Sequence, residues 1–109
     1  MIIKTSLVRI ITFGFANGIS LYPFVLITKG VELTERLINH EKIHLRQQLE
    51  MLVLPFYLIY FLEFLIRIIQ YRSFSLGYRN ISFEREAYHY EWDMDYLSQR
   101  KIYAWIKFI

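Results

Sequence analysis

The chain contains no cysteine, and its 109 residues include only two prolines and four glycines. Without cysteine it can form neither a disulfide scaffold nor a thiolate metal site, so any metal ion must be held by histidine and carboxylate groups. It also lacks a cluster of basic residues, and its net charge is only +3. Since nucleic-acid binding needs a basic surface or a recognition motif, we do not expect nucleic acid as a partner.

Apolar residues are abundant. They make up 55% of the chain, and aromatic residues alone make up 18%, which is high for a soluble domain. The length suits a single domain, 1–109, with one core. Either that core is rich in tyrosine and phenylalanine, or part of the surface meets a membrane or a partner.

The N-terminal segment does not have the pattern of a secretory signal. Its short apolar run is interrupted at Gly14, Asn17 and Gly18, and no small-residue cleavage site follows. We therefore predict a cytoplasmic or membrane-associated protein without a signal peptide.

Residues 1–30 have the composition of β-structure. β-branched and aromatic residues predominate, and the segment 19–28 predicts a strand, with an earlier one expected around 7–13. Pro23 cannot donate to a β-ladder, so the strand 19–28 is expected at a sheet edge or a bulge. We expect an N-terminal β-hairpin or small sheet.

The remainder predicts helices. Thr34 is suited to cap a first helix over 34–53, and Pro55 marks its end or a kink. A second, apolar helix is expected over 54–71 and a third over 80–99, with a short final helix or strand after it. The predicted fold class is α+β, dominated by three to four helices.

The longest apolar run covers residues 51–62 and is too short to span a bilayer. Extending it to residue 69 brings in Glu63 and Arg67, which are spaced as a helical ion pair. We interpret this segment as a buried core helix; the alternative is a helix that lies on or in a membrane.

A chemical motif occurs on the first predicted helix. His40 and His44 are four residues apart, so one helical turn brings both imidazoles to the same side, and Glu41 lies beside them. The pattern H-E-x-x-H is typical of zinc metalloproteases. Because a catalytic zinc ion usually has three protein ligands, two histidines leave the site incomplete.

A second motif, F-E-R-E-A-Y over residues 83–88, lies on the third predicted helix. H-E-x-x-H followed by F-E-x-x-A resembles the glutamate-zincin metallopeptidases, above all the CaaX prenyl protease family and its bacterial relatives. Gln47 and Gln48 also resemble the Q-Q of small bacterial putative peptidase domains. The resemblance covers residues 39–88. It implies a minimal zincin-like domain with Glu84 as the third ligand and a small residue, Ala87, where two helices approach.

The resemblance also implies a reaction. His40, His44 and Glu84 would bind one Zn²⁺, and Glu41 would act as the general base in peptide-bond hydrolysis. A peptide or protein substrate of unspecified sequence would pair with the predicted edge strand. The candidate substrate-strand residues are Leu21, Tyr22 and Phe24.

One position departs from the family pattern. Where the family has an aspartate that orients a histidine ligand, this chain has Tyr88. Glu91 or Asp95 could supply that carboxylate. The further candidates for orienting a ligand or stabilising an oxyanion are Tyr60, Tyr88 and His89.

Two alternatives remain open. The first is a zinc-binding or membrane-associated interaction module without catalytic activity. The second is a carboxylate-bridged site for two iron ions, because Glu41–His44 and Glu86–His89 both have the E-x-x-H spacing. Glu63 could add a carboxylate to such a site.

Overall fold

The computed structural model describes residues 2–8 and 17–109. The fold is α+β and dominated by helices, which confirms the predicted class. The strands are β1 (Ile2–Lys4), β2 (Gly18–Leu21) and β3 (Phe24–Ile27). The helices are α1 (Glu35–Met51), α2 (Val53–Tyr71), α3 (Phe74–Arg79), α4 (Ser82–Tyr90) and α5 (Tyr96–Gln99), followed by a 3₁₀ helix (Ala104–Phe108).

The three strands form one small mixed sheet with β3 in the middle. β1 pairs with β3 in parallel, and β2 pairs with it antiparallel. β2 is therefore an edge strand, and it packs on α1. This arrangement places the sheet edge next to the helix that carries the H-E-x-x-H motif.

The predicted strand 19–28 is in fact the hairpin β2–β3. Tyr22 and Pro23 form its turn, so Pro23 occupies a position that requires no ladder hydrogen bond. The strand expected around 7–13 differs as well: Leu7 and Val8 are helical, and residues 9–13 lie outside the described residues.

The first helix agrees closely with its prediction. The Thr34 side chain accepts a hydrogen bond from the backbone N–H of Leu37 at 3.1 Å and so caps α1. The break between α1 and α2 falls at Leu52, whose φ is 66°. Pro55 lies in the first turn of α2, where a proline removes no helical hydrogen bond.

The predicted helix 80–99 is interrupted. α4 ends at Tyr90, and the side-chain amide of Asn39 on α1 donates to the backbone oxygens of Tyr90, Glu91 and Asp93 at 3.3, 2.9 and 3.1 Å. Because these carbonyls bond to α1, the chain leaves the helix there, and α5 begins only at Tyr96.

Two contacts fix α2 against the elements that follow it. A Cβ atom on Gly77 would lie only 2.8–3.0 Å from atoms of Ile68, so α3 can approach α2 closely because this residue has no side chain. Glu63 accepts hydrogen bonds from the backbone N–H and the hydroxyl of Ser82, at 2.6 and 2.5 Å. Glu63 therefore caps α4, in addition to its longer contact with Arg67 at 3.4 Å.

Over residues 2–8 and 17–109, the buried apolar side chains group into three small clusters. One joins β3 to α1, one joins α1 to α4 and α5, and one joins α2, α4 and the 3₁₀ helix. Their members are, respectively, Val25, Ile27 and Leu37; Ile43, Ala87 and Tyr96; and Phe56, Ile81, Phe83 and Trp105. The place of Ala87 in the second cluster agrees with a close approach of α1 and α4.

The interpretation of the apolar segment as a buried core helix is wrong. Within Val53–Tyr71, Phe56 is the only residue classed as buried. By length and composition alone α2 could cross a membrane, with a mean hydropathy of 1.7, and 6% of that window is buried. Most of its apolar side chains instead face away from the protein.

Candidate metal centre

Two helices bring the three predicted ligands together. His40 and His44 project from successive turns of α1, and Glu84 lies in the first turn of α4. All three side chains are buried, with residue exposures of 5% or less. Among the described residues, this is the group of histidine and acidic side chains that could hold a metal ion.

The three inward-facing atoms form a nearly equilateral triangle. His40 Nε2 and His44 Nε2 are 3.2 Å apart, and they lie 3.2 and 3.1 Å from Oε1 of Glu84. One ion could therefore contact all three atoms at once.

The outer ring nitrogens determine which atoms carry protons. His40 Nδ1 lies 3.2 Å from Oε2 of Glu91, and His44 Nδ1 lies 2.8 Å from Oε1 of Gln47. A carboxylate and an amide oxygen can only accept, so each Nδ1 must carry the hydrogen. In the neutral imidazoles, both Nε2 atoms then direct lone pairs at the carboxylate of Glu84.

The orientation of the Gln47 amide is itself determined by its neighbours. Its Nε2 donates to the backbone oxygen of Phe83 at 3.1 Å and to Oε1 of Glu86 at 2.9 Å. Since both partners are acceptors, the amide nitrogen must face them, and the oxygen must face His44. This network fixes the tautomer of His44 from a second layer of residues, as is usual for metal-binding histidines.

Glu91 and Tyr60 contact the same group from other directions. Glu91 also pairs with Arg36 at 2.8 Å, and Tyr60 donates its hydroxyl to Oε2 of Glu84 at 2.6 Å. Of the two carboxylates expected to orient a histidine, Glu91 and Asp95, it is Glu91 that contacts His40. Tyr60 leaves the Oε1 atom of Glu84 directed at the histidines.

The charges of the group are strongly coupled. Burial lowers the pKa of His40, but hydrogen bonds with Glu84 and Glu91 outweigh this effect and raise the pKa to about 10. Burial opposes ionisation of Glu84, yet the charge on His44 and hydrogen bonds with both histidines hold its pKa well below the usual range. Without a cation the group therefore retains a proton, and a bound metal ion would displace it.

Glu41 lies beside the triangle but does not belong to it. The hydroxyl of Ser20 on β2 is 2.9 Å from Oε1 of Glu41 and 2.8 Å from its backbone oxygen. A Cβ atom on Gly18 would lie 3.2 Å from the carboxyl carbon, so the glycine makes room for this side chain. Burial raises the pKa of Glu41 above its ordinary value, while positive charge on His44 and His40 opposes that rise.

A large cleft opens over the group. Its volume is about 930 Å³, within the range of ligand-binding clefts. Its polar floor contains Glu41, His44 and Glu84, whereas its walls are mainly aromatic and aliphatic. The wall residues include Phe56, Tyr57, Tyr60, Phe64, Phe74 and Tyr78. The site can therefore receive an apolar molecule beside a metal-binding group.

The edge of β2 differs from the expected substrate strand. Gly18, Ile19 and Ser20 line the cleft, whereas Leu21 precedes the hairpin turn, Tyr22 lies in it and Phe24 begins β3. The residues expected to pair with substrate therefore lie beside the cleft rather than along it.

Side chains also cover part of that edge. The backbone oxygen of Ser20 accepts from Nε2 of Gln48 at 2.8 Å and from the hydroxyl of Tyr57, and the N–H of Tyr22 donates to Oε1 of Gln48 at 2.7 Å. A peptide that paired with these groups would have to displace Gln48.

The remaining predicted residues lie at different distances from the group. The Tyr88 ring packs edge-on against His40, with centroids 4.6 Å apart, and the guanidinium of Arg79 stacks over the Tyr88 ring. His89 is exposed and contacts Tyr90 and Phe108. Asp95 is exposed just before α5. Tyr88 is thus the one member of this set that touches a ligand.

The residues required for a two-iron site are not brought together. Glu86 forms an ion pair with Arg100 at 2.5 Å and accepts from Tyr96 at 2.5 Å. His89 is on the surface, and Glu63 caps α4. In the described parts of the chain, the second E-x-x-H pair therefore does not face the first.

Several site residues escaped prediction from the sequence. Ser20, Gly18 and Tyr78 reach the cleft from a hairpin and a short helix that have no motif. For Gln47 and Gln48 the sequence did hold a signal, the Q-Q pair after the second histidine, but the pair alone does not indicate what each amide contacts.

Comparisons with known proteins add no relationship: no family model, curated protein or solved structure matches the chain. The chemistry of the residues described above is therefore what indicates a function.

Proposed function

We propose that this protein is a zinc-dependent peptidase, in which His40, His44 and Glu84 hold the ion and Glu41 is the general base. The observation that carries the proposal is the convergence of two imidazole nitrogens and one carboxylate oxygen, within 3.2 Å of one another, beside a second buried carboxylate, that of Glu41, in the lining of a cleft. Without a positive charge among them, these groups would repel one another, so the arrangement suits a bound cation in place of the proton.

The donor atoms suit zinc. Zn–N and Zn–O bonds of about 2.0–2.1 Å in a tetrahedral site place neighbouring ligand atoms about 3.3 Å apart, and the edges here are 3.1–3.2 Å. Two imidazoles and one carboxylate are also a known ligand set of catalytic zinc. Three protein ligands leave one coordination position for water or substrate, whereas a structural zinc site usually has four.

A bound zinc ion would supply an activated water and a Lewis acid for the substrate carbonyl. Glu41 would accept a proton as the water attacks and donate it to the leaving amine. Burial raises the pKa of Glu41 above its ordinary value, which favours its acceptance of a proton. Gly18 and Ser20 hold the carboxylate in place, and the apolar cleft walls would bind the substrate side chains.

Glu41 also bears on the alternative of a non-catalytic zinc-binding module. A structural ion needs no neighbouring carboxylate, and burying a charged group without a cationic partner is unfavourable. Glu41 is buried, and its carboxylate accepts a hydrogen bond from the hydroxyl of Ser20 rather than from a lysine or an arginine. This arrangement favours a catalytic role for Glu41.

The experiment compares the wild-type protein with Glu41→Gln, using a mixture of internally quenched fluorescent peptides with apolar residues on both sides of the cleavable bond. We expect zinc-dependent cleavage by the wild type and a loss of roughly 10²–10⁴-fold in the variant, with one zinc per chain in both. The control Glu35→Gln changes an exposed glutamate on the same helix and should leave cleavage unaltered.

Equal cleavage by wild type and Glu41→Gln would contradict the assigned role of Glu41. A zinc-loaded wild type that cleaves no peptide in the mixture would instead favour the non-catalytic module.

A further inference from the structure

The polarity of α2 is inverted relative to an ordinary surface helix. Its two charged side chains, Glu63 and Arg67, are only 13% exposed and face the protein. Its outward stripe is wholly apolar, with exposures between 52% and 82%. This stripe, which we call the apolar face, contains Leu54, Leu58, Phe61, Leu62, Ile66 and Ile69.

The spacing of these residues keeps them together. Steps of three, four and one residue along an α-helix hold all six within a stripe about 140° wide. Helix α3, which packs on α2, extends the exposed apolar surface with Phe74 and Leu76, at 63% and 50% exposure. A continuous apolar surface of this kind indicates that something apolar covers it.

The composition of the apolar face identifies what covers it. Protein–protein interfaces mix apolar with polar groups and are enriched in aromatic residues and arginine, whereas this stripe has five leucine or isoleucine residues, one phenylalanine and no polar side chain. Such a surface matches lipid acyl chains.

The charges next to the apolar face are those that anionic headgroups attract. Residues 64–83 contain no acidic residue, and two of their three arginines lie outside the Glu63–Arg67 ion pair. Arg72, just after α2, and Arg79, at the end of α3, are both exposed. Each basic residue close to an anionic membrane surface adds about 1 kcal/mol of attraction.

The packing of α2 excludes an isolated span. The helix contacts the protein along most of its length. Phe56 belongs to a core cluster, Tyr60 is hydrogen-bonded to Glu84, and Ile68 packs against Gly77. One side of the helix is therefore always occupied by protein, and the opposite side is available to lipid.

We propose that the apolar face lies in the surface of an anionic lipid bilayer, with α2 parallel to the membrane and Arg72 and Arg79 among the headgroups. Leu54, Leu58 and Phe61 also line the cleft, so the cleft opens at the membrane surface. Given the proposed peptidase function, the substrate would be an apolar peptide segment at that surface.

The test is flotation of the purified protein with vesicles of phosphatidylcholine containing 30% phosphatidylglycerol (about one charge per three lipids, as in anionic surfaces). The variant Leu62→Gln/Ile66→Gln/Ile69→Gln should lose about tenfold or more in vesicle binding, because three side chains leave the acyl region. None of the three lines the cleft. The matched control Leu49→Gln/Ile102→Gln/Ile109→Gln changes apolar residues of similar exposure, 55–70%, outside α2 and α3 and should bind as the wild type does.

Two further variants separate the sources of binding. Arg72→Gln should weaken binding to anionic vesicles roughly fivefold, as expected for one basic residue, and should not change binding to pure phosphatidylcholine. His40→Ala should lose zinc but still bind vesicles, so a failure of the peptidase proposal does not affect this result.

Absence of vesicle binding by the folded wild type would overturn the proposal. If light scattering shows a dimer for the wild type and a monomer for the triple glutamine variant, a second copy of the chain covers the apolar face. That result would also overturn the proposal. Equal vesicle binding by the triple variant and its control would overturn the proposal as well.

Discussion

The surroundings of His40 and the outer side of α2 distribute polarity in opposite ways. Around His40, buried glutamate, glutamine and histidine side chains are hydrogen-bonded to one another, whereas on α2 leucine and isoleucine are exposed. A folded chain normally does the reverse. Around His40, the polar groups are buried because they form a candidate metal site. On α2, the apolar side chains are exposed because no described part of the chain covers them.

The two regions also differ in how they stabilise the fold. The polar interior depends on partners, because a buried group without one destabilises the native state. Within the described part of the chain, the apolar face of α2 is exposed, so changes there should leave folding nearly unaltered.

Among the polar interior residues, the largest effect on stability is expected at Arg100. Its side chain is 1% exposed and pairs with Glu86 at 2.5 Å and Glu50 at 2.9 Å. Arg100→Met leaves two carboxylates without their cation and should lower the free energy of unfolding by about 3–5 kcal/mol. Chemical denaturation measures this free energy. The control Arg46→Met changes an exposed arginine of α1 and should alter the free energy of unfolding by less than about 0.5 kcal/mol.

A smaller effect is expected at Glu91. Its carboxylate accepts from Nδ1 of His40, and loss of such an orienting partner weakens metal binding about 10–100-fold. Glu91→Ala should therefore raise the zinc dissociation constant by that factor, measured by competition with a chromogenic chelator. Asp95→Ala removes an exposed carboxylate nearby in sequence and should leave the constant unchanged; an equal effect of both variants would contradict the role of Glu91.

At the start of α1, the effect should be smaller again. Thr34→Ala removes the hydrogen bond to the N–H of Leu37 and should cost about 1 kcal/mol of unfolding free energy. Thermal denaturation measures the change. Thr34→Ser keeps the hydroxyl and should stay close to the wild type; a loss as large as that of alanine would show that the methyl group, and not the cap, matters.

The smallest effect is expected on the apolar face. Leu62→Gln changes a side chain that is 52% exposed and should alter the unfolding free energy in detergent-free buffer by about 0.5 kcal/mol or less. Phe56→Ala, on the buried side of the same helix, should cost about 3–5 kcal/mol. If Leu62→Gln were as destabilising as Phe56→Ala, the apolar face would belong to the core.

The sequence predicts the helix that carries His40 and His44 because all of its determinants are local: a capping threonine, helical spacing and a break near Pro55. The motif around Glu84 likewise predicts a residue that the structure brings to both histidines. The helix depends on residues within a few positions of one another, whereas Glu84 lies forty or more positions from the histidines and was predicted through the resemblance alone.

Other features depend on distant contacts and could not be predicted in this way. α4 ends because Asn39, about fifty residues earlier, binds its terminal carbonyls. The exposure of α2 also escaped prediction, since its composition suits a buried helix and a lipid-facing helix equally well. Two distant contacts determine which side of α2 faces the protein. One is the hydrogen bond from the Ser82 N–H to Glu63, and the other is the close packing of Gly77 against Ile68.

The most direct test of the metal centre is the metal content of purified protein by mass spectrometry, for the wild type, His40→Ala, Glu84→Ala and His89→Ala. We predict one zinc per chain in the wild type and in His89→Ala, and none in the other two. A wild type without bound metal, or equal zinc in all four proteins, would contradict the assignment of His40, His44 and Glu84 as ligands.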